Sequence, residues 1–249
     1  MSTTSDSSAP LLKIEKLRTG YGDLTAVWDL SLTVDPGSVT LLVGRNGAGK
    51  TTTLMSTAGL LPIFDGIIEY RGKNVRSMSI RDRVRAGIAF VPEGKRVFPT
   101  LTVEDNLLVG GVLLSKRERK ARLTEVYDRF PLLAEFRDRR GAALSGGQQQ
   151  VLAIGQALMT RTKLLLLDEP SAGLAPKIFA DVIAAVRSLA AEGVGILLVE
   201  QVIETAVPLA DRLVIMERGR SVFHSSDPAA DDAINVIHEH MRGPAEITG

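Results

Sequence analysis

The chain has 249 residues, 45% of them hydrophobic and 24% charged, enough to bury a large core in one domain or two modest ones. Lys and Arg total 30 against 29 Asp and Glu, and the formal charge of +1 leaves no basic excess for neutralising many phosphates, which argues against a nucleic-acid partner. Cysteine is absent, which removes disulfides, thiolate metal sites and thiol catalysis together.

In chain order, residues 1–10, MSTTSDSSAP, are small and polar, lack the basic and apolar stretches of a signal peptide, and read as a disordered tail. Short apolar runs bounded by Gly, Pro or Asp then alternate with helical patterns, the habit of an α/β domain with a mainly parallel sheet. Strands are predicted over residues 11–17, 39–43, 88–91, 164–167, 196–199 and 213–216. No apolar run approaches the roughly twenty residues of a membrane-spanning helix, so another chain would have to cross any membrane involved.

Gly44-Arg45-Asn46-Gly47-Ala48-Gly49-Lys50-Thr51 fits the phosphate-loop pattern GxxxxGK[ST] and lies between the predicted strand 39–43 and a helix beginning near Lys50. The glycines let successive backbone N–H groups converge on phosphates, and the helix start, with Thr52 in its first turn, adds a favourable dipole. Lys50 is suited to reach the β and γ phosphates, and the Thr51 hydroxyl to ligate Mg²⁺. A chance glycine-rich turn is the alternative, and placement between strand and helix argues against it.

Residues 103–158 change character, with helical periodicity and no convincing strand. The basic run Lys116, Arg117, Arg119, Lys120 and Arg122 within it fits a solvated helix face, with membrane or partner contact as the other reading. Leu144-Ser145-Gly146-Gly147-Gln148 then opens a helix running to about Met159. Ser145 with two glycines at a helix start is either a second anion cradle or a plain N-cap. The apolar run 164–167 ends in Asp168 and Glu169. An acid pair there fits a solvated strand end, or, beside a nucleotide, a metal-holding Asp168 and a water-activating Glu169. Residues 176–192 form the clearest helix, with Phe179, Val182, Ile183, Val186 and Leu189 at helical spacing, Pro176 in the first turn and Gly193 at the stop. His238 and His240 lack a third placed ligand and read as an exposed helix face, not a metal site.

LSGGQ between a phosphate loop and an acid-ending strand resembles the signature of ABC ATPases, and the likeness runs from about Leu11 to His224. It implies a P-loop NTPase core of RecA type, an N-terminal antiparallel β portion, and a helical signature subdomain at about residues 94–160 inserted into one domain spanning 11–249. It further implies ATP and Mg²⁺ as cofactors, Tyr21 stacked on adenine in place of a locally packed turn aromatic, and a head-to-tail dimer in which Ser145, Gly146, Gly147 and Gln148 close on the partner's ATP. The implied catalytic set is Lys50, Glu169 and Gln201, and the implied metal set Thr51, Asp168 and Glu93. Three positions depart from the family's usual pattern: Glu93 stands for Gln, Gln201 for His and Ala175 for Asp. Gln201 can donate a neutral hydrogen bond to phosphate but cannot become cationic.

The segments VPEG, RVFP, LTVEDNL, SAGLAP and VEQ resemble one of the two ATPase subunits of branched-chain amino acid importers. That likeness implies a peripheral position on the cytoplasmic face of the membrane, a second ATPase chain (the same or different), two permease subunits and, indirectly, an extracytoplasmic binding protein. Importers of urea, amides or small acids share much of the pattern. A non-transport ABC protein is disfavoured by the single cassette and the lack of heptads, and a P-loop kinase or GTPase by the lack of an Asn-Lys-x-Asp segment. A binding-only module is disfavoured by the presence of Lys50 and Glu169.

Overall fold

The computed structural model describes residues 9–94, 97–171, 174–201 and 203–241. The predicted tail falls mostly outside them, as do parts of VPEGKRVFP and SAGLAP. The chain begins with two long antiparallel strands, β1 (Leu12–Tyr21) and β2 (Leu24–Val34), followed by β3 (Val39–Val43), helix α1 (Lys50–Ala58), β4 (Ile63–Tyr70), β5 (Lys73–Asn74), α2 (Ile80–Ala86) and β6 (Ile88–Val91). Four helices follow: α3 (Val103–Gly110), α4 (Lys116–Arg129), α5 (Pro131–Glu135) and α6 (Gly146–Leu158). The remainder is β7 (Leu164–Asp168), α7 (Pro176–Ala191), β8 (Gly195–Val199), α8 (Ile203–Ala206), β9 (Arg212–Glu217), β10 (Arg220–Ser225) and α9 (Asp231–Met241).

The strands form one sheet in the order β5-β4-β1-β2-β10-β9-β3-β8-β7-β6. From β9 to β6 every neighbouring pair is parallel, while β1, β2, β4 and β5 pair antiparallel. The three strands β3, β7 and β8 are buried at every residue, which is why each reads as an unbroken apolar run. Their alternate residues feed two different cores. Leu41, Val43, Leu165, Leu167, Ile196 and Leu198 pack with residues of α3, α6 and α7, whereas Leu42, Leu164, Leu166, Leu197 and Val199 pack with α1 and the antiparallel strands.

Helix α1 is thereby enclosed between the parallel strands and the antiparallel wing, and seven of its nine residues are buried although its sequence is mostly polar. Burial is tolerable because the hydroxyls of Thr53 and Thr57 donate to the carbonyls of Gly49 and Thr53, at 3.0 and 2.9 Å. Carbonyls at its C-terminal end are met by Arg83 of α2, itself 4% exposed. Its guanidinium donates to Ser56 O and Thr57 O at 2.8 and 2.9 Å and to Val75 O at 2.8 Å. A cation on a helix C-terminus also suits the dipole. Replacing Arg83 by Met keeps most of the apolar stem but removes three charge-assisted hydrogen bonds and strands Thr57 O, while Ser56 O and Val75 O keep the backbone N–H groups of Gly59 and Met78. A loss of about 3 kcal/mol of stability is expected in urea denaturation, and a loss below 0.5 kcal/mol would refute this role.

The structure departs from the sequence expectations mainly in the antiparallel wing. β1 runs on to Tyr21, four residues past its predicted end, because a register irregularity with Lys16 at φ 48° kinks the strand and then lets pairing resume. Residues 103–158 are helical as expected, apart from an isolated bridge between Thr102 and Arg140. The basic run lies on α4, where Lys116, Arg117 and Lys120 are exposed and Glu118 pairs with Arg161.

Candidate functional site

The residues after β3 turn sharply into α1. Ala48 N donates to Arg45 O at 3.0 Å, Gly47 has φ 79° and Gly49 φ 108°, backbone conformations that side chains rarely adopt. Space excludes side chains as well: a Cβ at Gly44 would sit 2.2 Å from the carbonyl oxygen of Met216 on β9. The loop therefore curls with its backbone bare, around a cleft of about 440 Å³ lined by Gly44, Arg45, Asn46, Gly47 and Ala48 together with Gln201, Glu217 and Arg218.

Lys50 is 5% exposed, and its Nζ donates to Gly44 O at 2.8 Å and Arg45 O at 3.3 Å, folded back over the loop. Burial lowers its proton affinity, and the nearby charges of Glu169, Asp168 and Glu93 oppose that shift. Thr51 and Thr52 occupy the first turn of α1, Thr51 exposed and Thr52 buried. Tyr21 ends β1 half-exposed, with its hydroxyl 3.6 Å from Met55 Sδ on α1, so its ring lies beside the helix that follows the loop.

From the neighbouring parallel strands come the acids. Asp168 ends β7 at 1% exposure, and neither carboxylate oxygen has a hydrogen-bond partner among the described residues. Burial pushes its carboxyl up to about 6; the Thr51 hydroxyl lies close enough to oppose this without reaching hydrogen-bond geometry, and the charges of Glu169 and Glu93 add to the rise. Glu169 has φ 48°, a left-handed conformation uncommon for a residue with a side chain. Its carboxylate is 3.9 Å from Lys50 Nζ. Gln201, beyond β8, donates through Nε2 to both Glu169 oxygens at 2.8 and 2.7 Å and to Asn46 Oδ1 at 2.9 Å. One amide thus spans the acid and the phosphate loop.

Asp168 also makes stability depend on pH. Its folded pKa lies above the ordinary 3.8, so the folded chain holds a proton there between about pH 4 and 6 that the unfolded chain has released. Its contribution is neutral below that window and unfavourable above it. In metal-free buffer, Asp168→Asn is expected to stabilise the protein by about 2 kcal/mol at pH 8, a gain that vanishes by pH 4. Equal urea midpoints for the two proteins at pH 8 would contradict the assignment.

The other residues singled out in the sequence lie outside this cluster. Glu93 is exposed just past β6 and makes none of the described hydrogen bonds or ion pairs, although its charge is felt by Lys50 and Asp168. Ser145 is exposed and caps α6: its hydroxyl accepts from Gln148 N at 3.4 Å while Gln148 Oε1 accepts from Ser145 N at 2.8 Å, a reciprocal capping box. Gly146 is the first residue of α6. Gly147 leaves room for α7, since a Cβ there would stand 3.1 Å from Ile178 Cγ2. None of the four lines the phosphate-loop cleft. His240 Nδ1 is 3.3 Å from Glu217 and so is partnered, while the side chain of His238 lies outside the described residues. Glu200, the middle residue of VEQ and given no role there, is buried and binds Ser171.

A glycine loop between a parallel strand and a helix, a lysine folded over it, and an acid-tipped strand two positions along the sheet define a P-loop nucleotide-binding protein. Residues 27–172 match the ABC transporter family. The high-affinity branched-chain amino acid transport ATP-binding protein BraG of Pseudomonas aeruginosa is 43% identical over 88% of this chain and 94% of its own. LivF of Archaeoglobus fulgidus, a probable branched-chain amino acid transport ATP-binding protein, is 35% identical over 87% and 92%. The lipopolysaccharide export ATP-binding protein LptB of Escherichia coli is 32% identical over 86% and 90%. A nucleotide-free ATP-binding cassette from an ABC transporter superposes with a TM-score of 0.81 at 25% identity, covering 93% of this chain and 96% of that one. The ADP conformation of the cassette MJ1267 gives 0.80 at 25%, covering 93% and 99%. The chain belongs to the ABC transporter family, as an ATP-binding subunit of the kind that hydrolyses ATP to power transport. Among the described residues no helix is long and apolar enough to cross a membrane.

Proposed function

We propose that this chain is the ATPase subunit of an importer for branched-chain or other small amino acids, working beneath two permease subunits in a pair with a second ATPase chain. The observation that carries the hydrolytic part is the amide of Gln201, which joins the carboxylate of Glu169 to Asn46 of the phosphate loop. The cargo rests on the 43% identity to BraG.

The residues fit Mg²⁺. Asp168 offers two buried, unpartnered oxygens beside the Thr51 hydroxyl, and Mg²⁺ is commonly held by one or two protein oxygens plus phosphates and water. Bound there, it would neutralise charge on the β and γ phosphates. Lys50, now on Gly44 O and Arg45 O, would turn to the phosphates, and backbone N–H groups of residues 44–52 would cradle them. Glu169 would take a proton from the attacking water, and Gln201 would orient that carboxylate and sense the γ-phosphate. Tyr21 is the aromatic for the adenine. Glu93, whose charge reaches both Lys50 and Asp168, would stand beside the metal as the remaining member of that set.

Ser145 to Gln148 would close on ATP held by the partner, since the same chain keeps them out of its own cleft. Phe98, 48% exposed on a loop anchored by buried Asn106, suits contact with a permease. The function is tested by co-expressing the chain with two permease subunits, a second ATPase and a binding protein of a branched-chain amino acid importer and measuring ATP-driven leucine uptake in proteoliposomes. ATP hydrolysis with no uptake of any amino acid would reject the cargo. Gln201→His is expected to keep or raise ATP turnover, because an imidazole retains a donor toward Glu169, and complete loss would show that the amide has another task.

A further inference from the structure

Glu200 carries a buried carboxylate that the proposed chemistry leaves unused. It follows β8 directly and is 4% exposed. Oε1 accepts from Ser171 N at 2.9 Å, and Oε2 accepts from the Ser171 hydroxyl at 2.7 Å and from Gln201 N at 3.2 Å. Ser171 lies two residues beyond Glu169, on the exit from the adjacent strand. The pairing of β7 with β8 ends at Asp168 and Val199, and Glu169 N adds one more rung to Val199 O at 2.9 Å. Past that rung the Glu200 side chain supplies two contacts from the loop after β8 to Ser171 on the loop after β7, and its third contact, from Gln201 N, lies within its own loop. Glu169, in its left-handed conformation, is thus held on both sides, and Gln201 starts from the same carboxylate before reaching back to Glu169.

We propose that Glu200 is a positioning residue, which ties the loop after β7 to the loop after β8 and so fixes Glu169 and Gln201 against each other. The chemistry of the contacts calls for a carboxylate. Three donors converge on two oxygens, a load that an acceptor-only group carries and an amide cannot, since in one orientation its NH₂ would face Ser171 N–H and in the other Gln201 N–H. Misplacing a reacting group by an ångström costs up to about 10²-fold in rate, whereas ATP is gripped elsewhere, by the loop at Gly44 to Thr51. A rate defect with little effect on ATP affinity therefore separates positioning from general weakening.

This inference rests on the reading of Glu169 as the water-activating group. Its test measures kcat, KM for ATP and urea midpoint for the full-length chain bearing Glu200→Gln, Ser171→Ala, Gln201→Ala and the pair Glu200→Gln with Gln201→Ala. Glu200→Gln is expected to lower kcat at least tenfold with KM within twofold of the parent. In the Gln201→Ala background the same change should cost less than threefold more, because both act on one contact. A parental kcat for Glu200→Gln, a parallel rise in KM, or losses that simply multiply would each overturn the proposal. If Glu200→Gln fails to fold, Ser171→Ala serves alone, with kcat about threefold lower at constant KM expected and an unchanged kcat decisive against it. Glu169→Gln separates the two levels: turnover retained there rejects the role of Glu169, while its loss beside a parental Glu200→Gln rejects only Glu200.

Discussion

Glu169→Gln is expected to reduce steady-state ATP turnover by about 10³-fold, within the range attributable to losing a general base, while ATP still binds. The amide is isosteric, and its remaining oxygen can still accept from Gln201 Nε2, which now donates to both carboxylate oxygens. Lys50, 3.9 Å away, loses one of three neighbouring anionic charges and keeps Asp168 and Glu93. The phosphate grip therefore survives and the proton acceptor does not. Bound ATP then persists, and the protein is expected to elute as an ATP-dependent dimer in size-exclusion chromatography. Turnover within tenfold of the parent in a single-cycle assay would remove Glu169 from the mechanism.

Ser145→Arg is expected to have an effect of similar size by a different route. Ser145 is exposed and caps α6, so its loss costs the fold only about 1 kcal/mol. The long cation would fill the surface that has to meet the partner's nucleotide. ATP affinity of the isolated chain should stay within twofold of the parent, because the cleft is lined by Gly44 to Ala48 and not by α6. Turnover should fall at least 10²-fold, and the double change with Glu169→Gln should stay monomeric in ATP. A dimer of that double variant would show that the signature segment is not the closing surface.

The parts of the fold legible in the sequence are those whose signal is local. β3, β7 and β8 are buried on both faces and read as apolar runs, α7 buries one stripe at helical spacing, and the phosphate loop is contiguous. β2 and β4 escaped because their burial is partial and irregular: Trp28 and Asp29 interrupt the first, and Asp65 and Gly66 the second. Pattern alone gave no reason to bury a helix reading KTTTLMSTA, because the bonds that make Thr53 and Thr57 tolerable there run to carbonyls one turn back and leave no mark on hydropathy. Contacts across long separations were hidden for the same reason. Gln201 reaches Asn46 155 positions earlier, and Glu200 meets Ser171 29 positions earlier. Glu93 is suggested for the metal by its motif alone; none of the described hydrogen bonds or ion pairs involves it, and its link to the site is the charge felt at Lys50 and Asp168.

The tight approach of β9 to the glycine loop ties nucleotide recognition to a residue that no phosphate would touch. Met216 crowds Gly44 with its carbonyl, and its methyl would lie 2.7 Å from a Cβ at Gly49. The arc of the loop is thus moulded from behind by a strand some 170 positions downstream. Bulkier side chains at Met216 should accordingly press on Gly49 and weaken the grip on any nucleoside triphosphate alike, from a stretch that a motif search passes over.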